Sequence, residues 1–161
     1  MPEVHRAYEE ALRAIDRPPR KLVVLDPANA CATDGPRWLL ILVGGRAFND
    51  LTVPALALVF APGEHVLGRS HPGSPFPKQV TNVLLFEGHQ CLLSVSDRVV
   101  VTRDVSTNGT WVLPPDVVRG RPRIGPDELR ASPPHWPRVV SPHDLVVTIY
   151  AELVLVRSRC R

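Results

Sequence analysis

The chain has 161 residues, of which 44% are hydrophobic and 22% are charged. This length and composition predict a single globular domain with its own core and exclude wholesale disorder. The 19 basic and 16 acidic residues give a net charge of +3, but they are interspersed and form no basic block. We therefore expect no direct contact with nucleic acid.

Residues 2–15 have the apolar spacing of an amphipathic helix. Glu9 and Glu10 lie on another side of this helix, and the segment from Asp16 to Arg20 is expected to end it. The apolar side chains that recur at helical spacing are Val4, Ala7, Tyr8, Ala11, Leu12 and Ile15.

From Lys21 onward the chain consists of short apolar runs that are separated by turn-forming residues. Many short strands at nearly regular spacing are typical of an all-β sandwich or barrel. The predicted strands cover residues 22–25, 38–43, 55–60, 65–67, 83–86, 90–95, 99–102, 111–113 and 145–156, the last with a break near Ala151.

The stretch between Trp111 and Arg138 is rich in proline and arginine. Because proline and glycine interrupt regular elements, we interpret residues 113–137 as a long insertion before the last strands. It is either an elaboration of the domain or a disordered excursion.

The three cysteines, Cys31, Cys91 and Cys160, are far apart and lack the spacing of a metal site. They predict reduced thiols in an intracellular protein, with Cys91 as a small core residue. The first residues contain no apolar signal segment, and no apolar run is long enough to span a bilayer. We therefore expect a soluble protein without a membrane partner.

The most informative local signal is the loop after the strand at residues 99–102. Asn108-Gly109 favours a tight turn, because both residues tolerate a positive φ. The turn presents Ser106, Thr107 and Asn108 together at one tip. Such a loop is suited to holding a polar group.

Four segments that follow one another along the chain are Gly68-Arg69, His89, residues 104–110 and residues 141–149. In this order they resemble the motifs of the forkhead-associated (FHA) domain. Gly68-Arg69 resembles the family's Gly-Arg motif, His89 its Ser-x-x-His motif, and residues 104–110 its Ser-x-Asn-Gly-Thr loop. Residues 141–149 resemble its late Leu-x-x-Gly-Asp-x-Ile turn and strand. The resemblance covers residues 56–156 and implies an all-β, FHA-like sandwich with its binding loops at one end.

On this resemblance we divide the chain into an N-terminal extension, residues 1–54, and an FHA-like domain, residues 55–161. The extension is expected to be a helix plus strands that pack on the sandwich and cover an edge that would otherwise invite pairing. The alternative is that it forms a partner-binding face.

The resemblance implies that the chain recognises phosphothreonine in a partner protein and acts as an adaptor or complex subunit. A phosphate carries nearly two negative charges and is bound by a guanidinium and by neutral donors, here Arg69 and the loop. Asn108 would hold the partner's backbone through its side-chain amide. The implied phosphopeptide-binding residues are Arg69, Ser70, Ser106, Thr107 and Asn108, with Gly68, His89 and Gly109 as structural support. The family's usual signalling roles imply a nuclear or cytoplasmic location.

The chain departs from the family where the phosphate-binding serine is expected. Counting back from His89, Phe86 stands at that position and Glu87 follows it. The lost hydroxyl removes a charge-assisted hydrogen bond worth about 1.5 to 3 kcal/mol, and the carboxylate would repel phosphate. Thr81, Asn82 or Ser70 are candidate substitutes.

The alternative function is a degenerate FHA scaffold that binds a fixed partner, or itself, independently of phosphate. In that case Phe86, Trp111 or the N-terminal residues would form an apolar surface.

We do not expect an enzyme. The six histidines show no metal-binding spacing, and nucleophile-elbow, P-loop and dinucleotide-binding motifs are absent from the sequence. We expect no metal and no cofactor.

Overall fold

The computed structural model describes residues 2–30, 35–45, 52–68, 90–121, 124, 129 and 135–159. The strand that the sequence predicts at residues 83–86 lies outside these residues. The described elements are α1 (Pro2–Ile15), β1 (Leu22–Val24), α2 (Pro27–Ala30), β2 (Arg37–Gly45), β3 (Ala55–Phe60), β4 (Gly63–Leu67), β5 (Cys91–Val95), β6 (Val100–Asp104), β7 (Trp111–Leu113), α3 (Pro115–Val118), β8 (Arg138–Val140), β9 (Leu145–Val147) and β10 (Ala151–Ser158).

The described strands form two sheets. One has six strands in the order β1-β3-β2-β10-β9-β7, and the other has four in the order β4-β5-β6-β8. Neighbouring strands pair antiparallel, apart from β1, which runs parallel to β3. Buried side chains of both sheets meet between them, among them Leu40 of β2 and Leu93 of β5. The predicted all-β sandwich with an N-terminal helix is confirmed.

A second apolar layer covers the outer face of the six-stranded sheet. Helix α1 packs there on β10, with Val4, Tyr8 and Leu12 among its buried residues. Because successive side chains of a strand point to opposite faces, Leu39 of β2 enters this outer cluster while Leu40 enters the cluster between the sheets. Strand β2 is therefore apolar on both sides, as is typical of a strand that is covered on both faces.

Helix α1 begins and ends where the sequence predicts. Glu3 in its first turn and Arg13 in its last turn are placed favourably in the helix dipole. Beyond the helix, Asp16 has a φ of 54°, which turns the chain away from the helix axis. The Tyr8 hydroxyl then donates to the Arg20 carbonyl oxygen at 3.2 Å, so the segment after the helix is tied back to it.

The described part of the 113–137 insertion is packed on the domain. It contains the short helix α3, and Val118, Ile124 and Leu129 are buried in the outer cluster. The Arg119 guanidinium donates to the Ala14 carbonyl oxygen at 3.1 and 3.2 Å. These residues elaborate the domain, so the interpretation as an excursion is wrong for them.

Strand β2 lies inside the six-stranded sheet. Leu40 of β2 pairs with Leu58 of β3 on one side and with Leu155 of β10 on the other. The division of the chain at residue 54 stays a prediction, but the hydrogen bonds of β2 run to strands on the far side of that boundary.

Two features near the C-terminus complete the sandwich. The predicted break near Ala151 is confirmed, since the Thr148 hydroxyl accepts from the backbone N–H groups of Tyr150 and Ala151, both at 3.0 Å, in the turn between β9 and β10. Strand β8, which the sequence analysis assigned no structure, pairs with β6. Within the described part of the chain, no helix has the length and apolar character that crossing a membrane requires.

Candidate functional site

The candidate loop lies at one end of the four-stranded sheet. Leu67, the last residue of β4, pairs with Cys91, which in turn pairs with Asp104 at the end of β6. The residues that follow these strand ends therefore meet at the same edge. One of them is Gly68, which is buried and directly precedes Arg69 in the chain.

Three of the predicted site residues, Arg69, Ser70 and His89, lie outside the described residues, as do Phe86 and Glu87. Their roles stay predictions. The structure places the other predicted residues, Gly68, Ser106, Thr107, Asn108 and Gly109, around the ends of β4 and β6.

The Asp104 carboxylate organises the loop from inside. Its Oδ1 atom accepts from the Ser106 backbone N–H at 3.0 Å, from the Ser106 hydroxyl at 2.6 Å and from the Thr110 hydroxyl at 2.8 Å. Aspartate commonly shapes turns by bonding to the backbone two residues further on. The loop between β6 and β7 is thus closed by bonds to one carboxylate oxygen.

Ser106 is engaged within this network on both its donor and its acceptor side. Its proton points to Asp104, and its oxygen accepts from the Gly109 backbone N–H at 2.8 Å. A hydroxyl has a single proton to donate, so the described contacts assign Ser106 to bracing the loop. Thr107 and Asn108 are exposed at the tip, where a ligand has access to them.

Gly109 is held in a conformation that suits glycine. Its φ is +102°, and a Cβ atom built at this position would lie 2.5 Å from the nearest ring carbon of Trp111. Trp111 is 5% exposed and belongs to the outer apolar cluster. The indole therefore lies directly against the loop backbone and is too buried to form the apolar surface that the alternative function expects of it.

Gln90 is a residue that the sequence analysis missed. It directly precedes β5 and is 1% exposed. Its Nε2 atom donates to the Gly109 carbonyl oxygen at 3.0 Å and to the Thr110 hydroxyl at 2.8 Å. The only sequence signal is a polar residue at the start of an apolar strand, which is too common to indicate a role.

The backbone of Gln90 joins the same segments. Its N–H donates to the Leu67 carbonyl oxygen at 2.8 Å, and its carbonyl oxygen accepts from the Val105 N–H at 3.2 Å. The Thr110 hydroxyl lies 3.3 Å from the same carbonyl oxygen. Gln90 is thus the meeting point of the end of β4, the start of β5 and the loop.

One thiol, that of Cys91, lies beside the candidate loop. Burial raises the pKa of the Cys91 thiol, next to Gln90, to about 12. A thiol with this pKa stays protonated at neutral pH and is a poor nucleophile. The described residues contain no group of three or more His, Cys, Asp or Glu that could hold a metal ion.

The solved structures similar to this chain include FHA domains. One, from a Chlamydia trachomatis protein, is 16% identical, with 74% of this chain and 96% of that chain covered and a TM-score of 0.47. Another, from an Arabidopsis thaliana protein, is 16% identical, with 81% and 93% covered and a TM-score of 0.46. A third, from work on phosphothreonine-dependent FHA domain interactions, is 15% identical, with 79% and 97% covered and a TM-score of 0.45.

No family model matches the chain, and no curated protein matches its sequence. At these identities the likeness to solved structures concerns the fold and not what the chain binds. The predicted β-sandwich itself is confirmed by the two packed sheets.

Proposed function

We propose that the chain is a phosphothreonine-dependent protein-interaction module that acts as an adaptor or complex subunit. The observation that carries this proposal is the placement of an exposed, internally braced loop tip beside the end of β4. Thr107 and Asn108 occupy the tip, and Gly68 leads from β4 into Arg69. The Thr107 hydroxyl and the Asn108 carboxamide lie at this end of the sandwich, and we expect the Arg69 guanidinium there because Arg69 directly follows Gly68.

Each of these groups suits one part of a phosphothreonine peptide. Arg69 supplies the positive charge that a phosphate requires, and its planar guanidinium can donate to two phosphate oxygens. The Thr107 hydroxyl and Ser70 supply neutral donors. The Asn108 amide both donates and accepts, so it is suited to the partner's backbone.

The hydrogen bonds within the loop favour binding, because they reduce the conformational entropy that is lost when a ligand binds. The contacts of Asp104 with Ser106 and Thr110 hold the loop without any ligand. A loop that is ordered before binding loses little conformational entropy when the ligand arrives. We infer that the loop is a preorganised recognition element.

The substitution of Phe86 and Glu87 in the serine motif sets an upper limit on affinity. One charge-assisted hydrogen bond fewer is worth about 1.5 to 3 kcal/mol, or roughly tenfold to a hundredfold in Kd. We therefore propose a reader that binds phosphopeptides more weakly than one with an intact serine motif.

The proposal is tested by titrating a phosphothreonine peptide library, with unphosphorylated controls, against the wild type and Arg69→Ala. Arg98→Ala is the matched control, because Arg98 is an exposed arginine in the turn between β5 and β6, at the opposite end of the sheet. Phosphate-dependent binding that is lost in Arg69→Ala and kept in Arg98→Ala supports the proposal. A wild type that does not distinguish phosphorylated from unphosphorylated peptides overturns it.

The alternative, a phosphate-independent interaction module, is favoured by two exposed apolar residues on the outer face of the four-stranded sheet. Val139 of β8 is 54% exposed and Leu92 of β5 is 37% exposed. Both point away from the core between the sheets, since Val140 and Leu93 enter it. In contrast, the apolar residues of α1 are buried against their own sheet.

A partner or self-association that ignores phosphate would accordingly use the outer face of the four-stranded sheet. Val139→Glu then abolishes the association and Arg69→Ala leaves it unchanged. Light scattering of both variants over a concentration series, with and without phosphopeptide, separates this function from the first.

A further inference from the structure

Gln90 bonds to the loop from outside the continuous segment that Asp104 braces. Asp104 lies in the same continuous segment as the loop, at the end of β6, so its bonds set the internal shape of the loop. They do not set where the loop lies relative to β4. The side chain of Gln90 reaches the loop from the neighbouring strand, through Gly109 and Thr110.

The orientation of the Gln90 amide follows from its partners. The Gly109 carbonyl oxygen is an acceptor only, so it must face the Nε2 atom, which donates to it at 3.0 Å. The Thr110 hydroxyl donates to Asp104 and can therefore accept from the same Nε2 atom, 2.8 Å away. The amide is held in one orientation by acceptors at the base of the tip.

The Oε1 atom of this amide indicates that Gln90 has a functional role and is not there only to stabilise the fold. Gln90 Oε1 is buried and receives no hydrogen bond within the described part of the chain. A buried acceptor without a donor is unfavourable for folding, and an apolar side chain of similar shape avoids this cost. A glutamine here costs stability that its two donated bonds must offset.

We propose that Gln90 is a positioning residue of the phosphopeptide site. Its buried carboxamide fixes the tip that carries Thr107 and Asn108 relative to the end of β4, where the chain continues into Arg69. The inference rests on the proposed function, and it adds that the affinity for the phosphopeptide depends on a side chain that does not itself touch the ligand.

The test compares Gln90→Met with Thr102→Val in the full chain. Methionine keeps the length and apolar stem of glutamine but has no donor. Thr102 is a matched control, because it is fully buried in β6 and donates to the Leu92 carbonyl oxygen at 3.1 Å, away from the loop tip. Peptide titrations are done well below the unfolding temperature, so that a loss of stability alone leaves the affinity of the folded protein unchanged.

We expect Gln90→Met to weaken phosphothreonine-peptide binding about tenfold, because a tip that is no longer held in place must be ordered when the peptide binds, while its loss of stability is no larger than that of Thr102→Val. Thr102→Val is expected to lower stability and to leave the Kd unchanged. In NMR spectra of the free protein, the backbone amides of Thr107 to Thr110 shift in Gln90→Met, and those of the turn at residues 96–99 do not.

An unchanged Kd in Gln90→Met, with the wild type binding, overturns the inference and leaves the proposed function standing. A wild type without phosphate-dependent binding overturns the proposed function instead. In that case the amide shifts still report on Gln90: shifts confined to the loop show that its side chain fixes the position of the loop, and an unperturbed loop shows that it does not.

Discussion

At the scale of single residues, the loop depends on close contact between a glycine backbone and an aromatic ring. Gly109 has a φ of +102°, in the region that residues with a Cβ atom rarely adopt, and Trp111 lies directly beneath it. Both the conformation and the contact exclude a side chain. The effects of the conformation and of the contact can be measured separately, because Gly63 has a positive φ but open space around it.

We predict that Gly109→Ala destabilises the fold by about 2 to 5 kcal/mol, as the sum of left-handed strain and overpacking against the indole. It is also expected to abolish phosphopeptide binding, since the tip is displaced. The matched control is Gly63→Ala at the start of β4, where φ is +134° and a Cβ atom meets nothing within 4 Å. Urea unfolding of both variants measures the difference, and equal losses would show that the contact with Trp111 is unimportant.

Asp144, in the turn before β9, carries a charge in an unfavourable place. Burial is the largest influence and raises the pKa of its carboxyl, against the lowering effects of the Ser141 N–H and of the charges of Arg138 and His143. Because the folded state then binds the proton more tightly than the unfolded state, the contribution of Asp144 to stability is present below pH 3.8 and is lost as the pH rises through the folded pKa.

We predict that Asp144→Asn is stabilised relative to the wild type, by an amount that grows as the pH rises above 3.8. Asparagine retains an oxygen that accepts from the Ser141 N–H, which lies 2.9 Å from the carboxylate. The measurement is the free energy of unfolding in urea over a pH series, with the exposed Asp97→Asn as the control for the change in net charge. Parallel curves for Asp144→Asn and the wild type would contradict the prediction.

At the scale of elements, what the sequence predicts correctly is what depends on local patterns. The helix at residues 2–15 and the strands β3 and β7 have the predicted bounds, because apolar periodicity is a property of a short continuous segment. Helix α3 and strand β8 were missed, since both stand beside prolines at the ends of the stretch that was interpreted as one long insertion.

The candidate site was predictable only where it is continuous in the chain. The Asn108-Gly109 pair predicts the turn in the loop at residues 104–110. The part played by Gln90 depends on Gly109 and Thr110, about twenty residues away, and on the end of β4. Apolar periodicity within one segment cannot predict these contacts, because they form only when strand pairing brings distant segments together.

Arg17 is a second case of a role that only the folded chain defines. It follows the end of α1, in the segment that the sequence analysis assigned only to ending the helix. Instead its Nη2 atom donates to Glu152 Oε2 at 3.0 Å, with the two side chains 4% and 8% exposed, and its Nη1 atom donates to the Arg121 carbonyl oxygen at 2.6 Å. Gly44 makes room for the carboxylate, since a Cβ atom there would lie 2.4 Å from it. One ion pair thus joins α1, the insertion and β10.

We predict that Arg17→Met destabilises the protein by about 3 to 5 kcal/mol, because it removes the cation from beside a buried carboxylate. The double variant Arg17→Met with Glu152→Leu is expected to recover most of this loss, since both charges are then gone. A double-mutant cycle in urea gives the coupling energy. Additive effects of the two substitutions would show that the pair is not coupled.

At the scale of the whole molecule, the chain has three layers: the four-stranded sheet, the six-stranded sheet, and a cover of α1 with the insertion. The first interface is the sandwich core, and the second buries the outer face of β2 and β10. Trp111 belongs to the second interface and also supports Gly109 in the loop. The cover and the candidate site are therefore in physical contact through one side chain.

These three layers predict which N-terminal residues the sandwich requires in order to fold. Removal of residues 2–36 takes away α1, β1 and α2 and exposes apolar side chains of β2 and β10. It leaves the buried residues of the sandwich core in place and removes Leu25, which packs against them. Removal of residues 2–54 also takes away β2, which is hydrogen bonded to β3 and β10. The second deletion separates the strands that hold the six-stranded sheet together.

We predict that residues 37–161 fold cooperatively but self-associate, because a large apolar patch on the surface promotes association, and that residues 55–161 do not fold. Thermal unfolding followed by circular dichroism tests the first property, and light scattering tests the second, with the full chain as control. A cooperative transition in the 55–161 fragment would restore the boundary at residue 54 and make the N-terminal segment an addition to a finished domain. Its absence, beside a folded 37–161 fragment, makes β2 part of the recognition fold itself, so that the cover alone is the addition.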